Sequence, residues 1–465
     1  MPSRQLRIPS FAGVCAPEKA QRTGISVNEA SHRLRRFCLT MERFAFIATA
    51  HLNASPEWEI KSALALHAWL DAEHVTALRE RVTELRESTT SLQHGPDARL
   101  AALLEEALHA RGSVELITGI YGVLRPAFAD AIRRYLEDTN PLADQPSCRE
   151  LKIVLMEEEE AIAWGRDTLA ALTSSAEARR QSEDWALHLH AYLAAARGID
   201  GTLPEPEHDL PAPRAAEPFR PEILPHRDAR FSGLFDQTIP ADTIYADTSR
   251  PIEERNLALL FKRLREMDVP EAIAGILAET PGKSWEFYHD MLRQMWDEAR
   301  HALLGEAALE ARGVDWTRLP VNVTFSYKLA RFCTPLERHI LLFAIEQSLM
   351  PSRRGKRWEW TIARESGDKL STTFHDFDWA DEVLHAAIGK KHLRGVFHGD
   401  FNAAFKQAEE LAKRIAEGLE RDPMPGDTPP EDWWEKFASQ VLGRKVDPAP
   451  KTHVKEWSPT TGASA

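Results

Sequence analysis

The sequence predicts an all-α protein of two helical bundles joined by a long proline-rich connector. Three observations carry this. Two blocks, 27–198 and 251–420, are rich in Ala, Leu, Glu and Arg, the strong helix formers, and sparse in Gly. Apolar residues inside them recur at spacings of 3 and 4. The prolines, which lack the backbone donor and break helices, gather elsewhere: nine of 29 lie between Pro204 and Pro251, and seven follow Arg421.

Each element has its own signal. Residues 1–26 read as an N-terminal extension. Ser26 with Glu29 is a capping-box pattern opening the first helix, and Leu34, Phe37, Cys38, Met41, Phe44 and Ala45 form its apolar stripe. Asp97 reads as the N-cap of a helix reaching Ala110, with Leu100, Leu103, Leu104 and Leu108 on one face. Residues 199–250 form the connector. It carries Phe219, Ile223, Leu224, Phe231, Leu234, Phe235 and Ile244, so it is expected to wrap over the bundles. In the second block, Trp285 to Ala311 reads as a helix stopped by Gly313. Further helices are expected over about 336–350 and 378–389. Residues 321–325 (Val-Asn-Val-Thr-Phe) hint at a strand. Residues 421–465 read as a proline-rich tail.

Composition narrows the function. The chain has 465 residues; 58 Lys and Arg against 71 Asp and Glu leave a net charge of −13. That balance disfavours a nucleic-acid partner, which usually meets a basic stripe. No stretch approaches the ~20 apolar residues that span a bilayer, and the N-terminus has no secretory apolar core. The four cysteines are scattered, without a zinc or disulfide pattern. The expectation is a cytoplasmic protein with reduced thiols, a monomer or homodimer without membrane contact.

The chemistry lies in two Glu-x-x-His pairs, Glu298/His301 and Glu382/His385. In a helix, positions i and i+3 share a face, so each pair can offer an oxygen and a nitrogen to one metal ion. Both stand in apolar surroundings, where a carboxylate is costly unless paired or metal-bound. One such pair is common by chance; two, each preceded by a lone Glu, are less so. Glu346 ends the apolar run Leu341 to Ile345. Glu266 lies 32 residues before Glu298 in a charged segment, and Glu271, followed by an apolar run, is its rival.

The ordered set Glu, Glu-x-x-His, Glu, Glu-x-x-His resembles the ferritin-like di-iron carboxylate superfamily, over about 255–395. The form Asp381-Glu-x-x-His-x-x-x-Gly389 also looks like an uncharacterised branch of these proteins. The resemblance implies a four-helix bundle with Glu266 (or Glu271), Glu298, His301, Glu346, Glu382 and His385 as ligands, Glu298 and Glu382 bridging. His375 and His339 could share a ligand face, although a core or surface histidine is the plainer reading of each. Asp297 and Asp381 could orient the ligand histidines. Tyr288, Trp296, Tyr327 and Trp379 could line the site or pass electrons, or simply pack.

The cofactor implied is two Fe, or Mn/Fe or Mn/Mn. The implied activity is O2-dependent oxidation of a small organic molecule, with an external electron donor such as a reductase or ferredoxin. Two alternatives stand beside it: a manganese/iron peroxide-consuming or metal-handling protein, and a non-catalytic helical scaffold.

The first block reads as a diverged repeat that has lost its site. Asp71-x-x-His74 has Glu42 ahead of it. The later helix carries Glu157 to Glu160 with no His three residues on, and Tyr121 stands where a Glu is wanted. Asp71 and His74 are therefore expected to form a surface ion pair. The basic run Arg353-Arg354-Gly355-Lys356-Arg357 is expected as a solvated loop.

Overall fold

A computed structural model describes residues 8–88, 97–204, 209–236, 240–350, 355–426 and 432–449. They are helical, with no strand among them. The chain forms two compact units, one of residues 1–48 and 70–220, the other of 49–69 and 221–465. The boundaries differ from the proline pattern in two places. Residues 49–69 belong to the second unit. The two cuts, at 48/49 and 69/70, fall inside two continuous helices, so no break in composition marks them.

The helices of the first stretch are α1 (Pro17–Ala20), α2 (Val27–Leu52), α3 (Trp58–Glu84), α4 (Ala98–Leu108), α5 (Gly112–Ile117), α6 (Arg125–Asp138), α7 (Gln145–Leu172) and α8 (Ala176–Ala195). A π-helical turn, Thr118–Leu124, joins α5 to α6. The expected start signals operate: Ser26 accepts from the Glu29 amide at 3.2 Å, and Asp97 accepts from the amides of Arg99 and Leu100. The stripe of α2 delivers Leu34, Phe37, Met41 and Phe44 to a core that excludes water from them almost completely. There Phe37 and Phe44 meet Phe128 edge-on, at 5.3 and 6.1 Å between ring centres.

The second unit contains α9 (Pro240–Ala246), α10 (Ile252–Leu264), α11 (Asp268–Ala278), α12 (Trp285–Glu310), α13 (Thr324–Phe332), α14 (Pro335–Ser348), α15 (Lys356–Glu365), α16 (Lys369–Leu393), α17 (Phe401–Arg421) and α18 (Trp433–Leu442). A 3-10 turn, Arg265–Met267, separates α10 from α11. Helix α12 ends as expected, with Gly313 at φ +68 and the Val314 amide reaching back to the Leu309 carbonyl at 3.1 Å. Helix α14 opens on a full capping box between Thr334 and Glu337.

Two expectations change. The segment 321–325 makes no strand: Val323 gives one amide hydrogen bond to Leu234, no ladder partner follows, and α13 begins at Thr324. The expected C-terminal tail contains α18, whose Trp434, Phe437 and Ala438 are buried with Phe261 in the second unit's core. Its apolar run between prolines is long enough for three turns of helix. From the connector, Phe231 and Ile244 enter the same core, Phe231 lying 5.8 Å from the rings of Trp58 and of Trp316.

Glycine sets two close approaches in this unit. A Cβ on Gly305 of α12 would fall on the backbone nitrogen of Leu264, at the end of α10. One on Gly389 of α16 would lie 2.6 Å from a ring carbon of Phe343 on α14. Both glycines stand four residues after a histidine, so α12 and α16 share the pattern Asp-Glu-x-x-His-x-x-x-Gly.

Candidate metal centre

Four helical segments of the second unit bring the acidic and imidazole groups together. Glu266 comes from the 3-10 turn, Glu298 and His301 from α12, Glu346 from α14, and Glu382 and His385 from α16. Ligand atoms of Glu298, Glu346, Glu382 and His385 lie within 4.8 Å of one another, and so do those of Glu266, Glu298 and His301. His301, Asp378 and Glu382 form a third such group. All are buried except Glu266, whose side chain keeps 14% exposure.

The histidines show how the cluster is organised. His385 Nδ1 is 3.2 Å from Glu298 and 3.6 Å from Glu382. His301 Nδ1 is 3.5 Å from Glu298, 3.4 Å from Asp378 and 3.6 Å from Glu266. Neither Nδ1 has a hydrogen-bond partner, and neither do Glu266 Oε2 or Glu382 Oε2. Each opposite ring nitrogen faces an aspartate of the other helix. His301 Nε2 is 3.0 Å from Asp381 on α16, and His385 Nε2 is 3.4 Å from Asp297 on α12. With Nε2–H donating to an aspartate, Nδ1 is left as a lone pair aimed at the carboxylates. This is the tautomer a metal ligand requires.

Charge crowding explains the pKa shifts. Burial and the neighbouring Glu382 push Glu346 well up. Burial opposes ionisation of Glu382 too, but Lys356 keeps it well below the usual range. Burial raises Glu266 to about 7, with Arg263 and Lys356 pulling the other way. Burial would lower His301, yet Asp378, Asp381 and Glu298 drive it up to about 10. The cluster is a set of buried carboxylates that its cationic neighbours, Lys356 and Arg263, meet only in part.

Other expected residues divide. Glu271 lies outside the cluster: it accepts from Arg227 and lies 2.8 Å from Lys61, buried and neutralised. That leaves Glu266 as the first-helix carboxylate beside His301. The 3-10 turn carries it inward, and its charged neighbours turn in with it, since Arg263 is completely buried. His375 is buried with both ring nitrogens unpartnered, 3.9 Å from Asp378 and grouped with Glu359. It borders the cluster through Asp378. His339 packs at 5.8 Å against Phe287, its pKa pushed down to about 3 by burial, and joins none of the acidic groups among the described residues.

The aromatics pack. Tyr288 donates to the Thr280 carbonyl at 2.8 Å, Tyr327 meets Phe235 edge-on at 5.1 Å, and Trp379 lies 6.2 Å from Trp360. Trp296 stacks on Trp69 at 6.4 Å.

Sequence reasoning missed Asp378, Arg263 and, above all, Lys356. Lys356 is fully buried at the start of α15, with its ammonium 2.6 Å from Glu382, 2.9 Å from Asp378 and 3.7 Å from Glu266. The expected solvated loop is thereby corrected at this residue; Arg353 and Arg354 lie outside the described residues. The signal lay in spacing: Asp378 stands one helical turn before Glu382, and so shares its face.

In the first unit the expectation of a surface pair is also corrected. Asp71, Glu158 and Arg125 are 1%, 2% and 3% exposed. Arg125 donates to both oxygens of Asp71, at 3.1 and 2.7 Å, and to Glu158 at 2.7 Å. Asp71 does not pair with His74, whose Nε2 lies 2.8 Å from Glu157. Glu42 accepts from Arg79 instead.

Comparison with known protein families, curated proteins and solved structures found no match. The reading of the site rests on its own geometry.

Proposed function

We propose that the second unit is a ferritin-like bundle holding a dinuclear iron or manganese centre, and that the protein is an O2-dependent oxidoreductase acting on a small organic molecule. The observation that carries the metal reading is the pair of buried histidines. Each fixes its Nε2 on the aspartate of the opposite helix and leaves Nδ1 unpartnered among carboxylates. A structural cluster would satisfy those nitrogens. The carboxylate and imidazole donors, without thiolate, suit iron or manganese.

Glu266, Glu298 and His301 would hold one ion, and Glu298, Glu346, Glu382 and His385 the other, with Glu298 common to both. When bound, such a pair supplies the electrons for reducing O2. The chain's own part is threefold. Asp297 and Asp381 orient the imidazoles. Burial excludes bulk water from the ligands. Glu346, which burial and Glu382 make easier to protonate, would give up any proton it carries on ligating an ion. Electrons would come from an external donor and the substrate would be a small organic molecule. The first unit would be a counterpart in which Arg125 replaces the cation.

A second reading has its own support. Lys356 already places a positive charge on Glu382, as a metal-free scaffold would. Elemental analysis separates the two, on protein from iron- and manganese-supplemented cells beside a Glu298→Ala/Glu382→Ala variant. About two ions per chain, lost in the variant, are expected on the ligand count. Absence of iron and manganese from both preparations would establish the scaffold. With metal established, O2 uptake by the reduced protein tests the oxidase assignment.

A further inference from the structure

We infer that the outer face of α16 is the seam of a homodimer, in which two copies of this helix pack antiparallel across a two-fold axis. The inference does not depend on the metal reading above.

Fourteen large apolar side chains stand exposed among the described residues, and four of them lie on this one helix: Leu370, Phe377, Val383 and Leu384, at 40, 60, 53 and 40%. Single exposed apolar residues are ordinary; a contiguous set marks an interface. Helices α12, α14 and α15 pack against α16, and Asp381, Glu382 and His385 are buried among them. The exposed set occupies the opposite side of the helix.

The pattern on that side identifies the occupant. Large residues recur every seven positions, at Leu370, Phe377 and Leu384. Small ones do the same at Thr373, Ala380 and Ala387, and all three are exposed. Together they make a stripe about 100° wide, with the seven-residue repeat of a coiled-coil seam. Lay it antiparallel on a second copy, with the axis between 378 and 379. Leu370 then falls on Ala387 of the second copy, Phe377 on Ala380, and Leu384 on Thr373. Each bulky side chain meets a small one, and the two-fold repeats every contact. Parallel pairing would instead set Phe on Phe and Ala on Ala, alternating clashes with gaps that close packing penalises. The stripe supplies its own complement.

Charge is confined to the edges. Lys369, Asp376 and Lys390 are exposed beside the stripe and Lys391 ends it, the polar rim of an interface. One helix from each copy buries less than the ~800 Å² a side of a standard interface. The dimer should therefore be reversible, with a dissociation constant of about 1–100 μM. Pairing would set the two acidic clusters on opposite sides of the seam, because Glu382 and His385 stand on the inner side of the same helix.

The test is sedimentation velocity of the full chain from about 1 to 300 μM. Wild type should pass from monomer to dimer across that range. Ala380→Arg and Phe377→Ser should each raise the dissociation constant at least ~10-fold, with circular dichroism reporting that the helices remain. Leu187→Arg, at an exposed apolar residue of α8, should associate as wild type does. A wild type that stays monomeric throughout would overturn the seam, as would a dimer unmoved by a folded Ala380→Arg. Should Ala380→Arg fail to fold, Phe377→Ser decides in its place. A nitroxide on Ala387→Cys reads the direction of pairing, in a Cys15→Ser background because the other three cysteines are buried. Antiparallel helices should hold the two labels about 25–30 Å apart. A separation of ~10 Å would mean parallel helices and overturn the proposed pairing.

Discussion

The first unit holds Asp71 and Glu158 around a buried arginine; the second holds Glu298 and Glu382 around histidines and a lysine. The local spacing is parallel. Asp71 and Glu298 each have a histidine three residues on. Glu158 and Glu382 each have a glycine seven residues on, Gly165 and Gly389. The difference lies in the cation. Arg125 reaches in from α6, between the rings of Phe44 and Tyr121 at 4.9 and 5.4 Å, and binds both carboxylates. Burial would discharge it, but Asp71 and Glu158 keep it charged. Where His385 stands in the second unit, the first has Ala161. A buried acidic pair needs a positive partner, and a covalently attached one leaves nothing for an ion to do. The second unit keeps part of its carboxylate set without such a partner.

The largest effect should come from removing the first unit's cation. Arg125→Met leaves two carboxylates buried without it, at a cost of about 3–5 kcal/mol, measured by urea unfolding. Saturating Mn2+ should return none of that loss. Full recovery with Mn2+ would erase the contrast, making the first unit a latent metal site.

A smaller effect tests the second unit's crossed pairs. Asp381→Asn and Asp297→Asn should each weaken Mn2+ binding by about 10–100-fold while leaving the circular dichroism unchanged. His74, which faces Glu157 rather than an aspartate across the cluster, provides the control: His74→Asn should leave Mn2+ binding as in wild type.

The smallest effect belongs to a pair at neither cluster. Arg414 binds Glu337 at the capping box of α14 and, with the Thr334 contacts, outweighs burial to hold its pKa down to about 2. The folded value lies below the ordinary 4.5, so this stabilisation is present above pH 4.5 and is lost as pH falls towards 2. Glu337→Gln should flatten the acid limb of the stability profile over that window, by less than about 1 kcal/mol for a solvent-accessible pair. A larger change would mean that exposed and buried pairs differ less here than the comparison holds.

Helix type and the Glu-x-x-His spacing were legible because they are periodic and local. Glu298 with His301, and Glu382 with His385, declare themselves as pairs three residues apart. The choice between Glu266 and Glu271 was open because both sit in helix-forming sequence. It turns on a 3-10 turn and on Arg227 and Lys61, which come from distant parts of the chain. Lys356 was hidden for the opposite reason: a basic run reads as solvated, and nothing local says that one of its lysines is buried. The division of the units escaped the proline pattern because it cuts through α2 and α3, where the chemistry of the sequence does not change. Arg125 gave no sign because its partners lie 54 and 33 residues away.

Gly305 and Gly389 give the second unit something that its ligands cannot. Each stands one turn beyond a histidine, where its missing side chain lets another helix close in. Together they act as rulers for the helix spacing around the cluster, cut by the absence of a carbon atom. An alanine at 305 would favour the helix itself by about 1 kcal/mol yet press on the backbone of α10, lifting Glu266 away from Glu298. The spacing of the acidic cluster is thus open to adjustment by one methyl group on a residue that carries none of its charges.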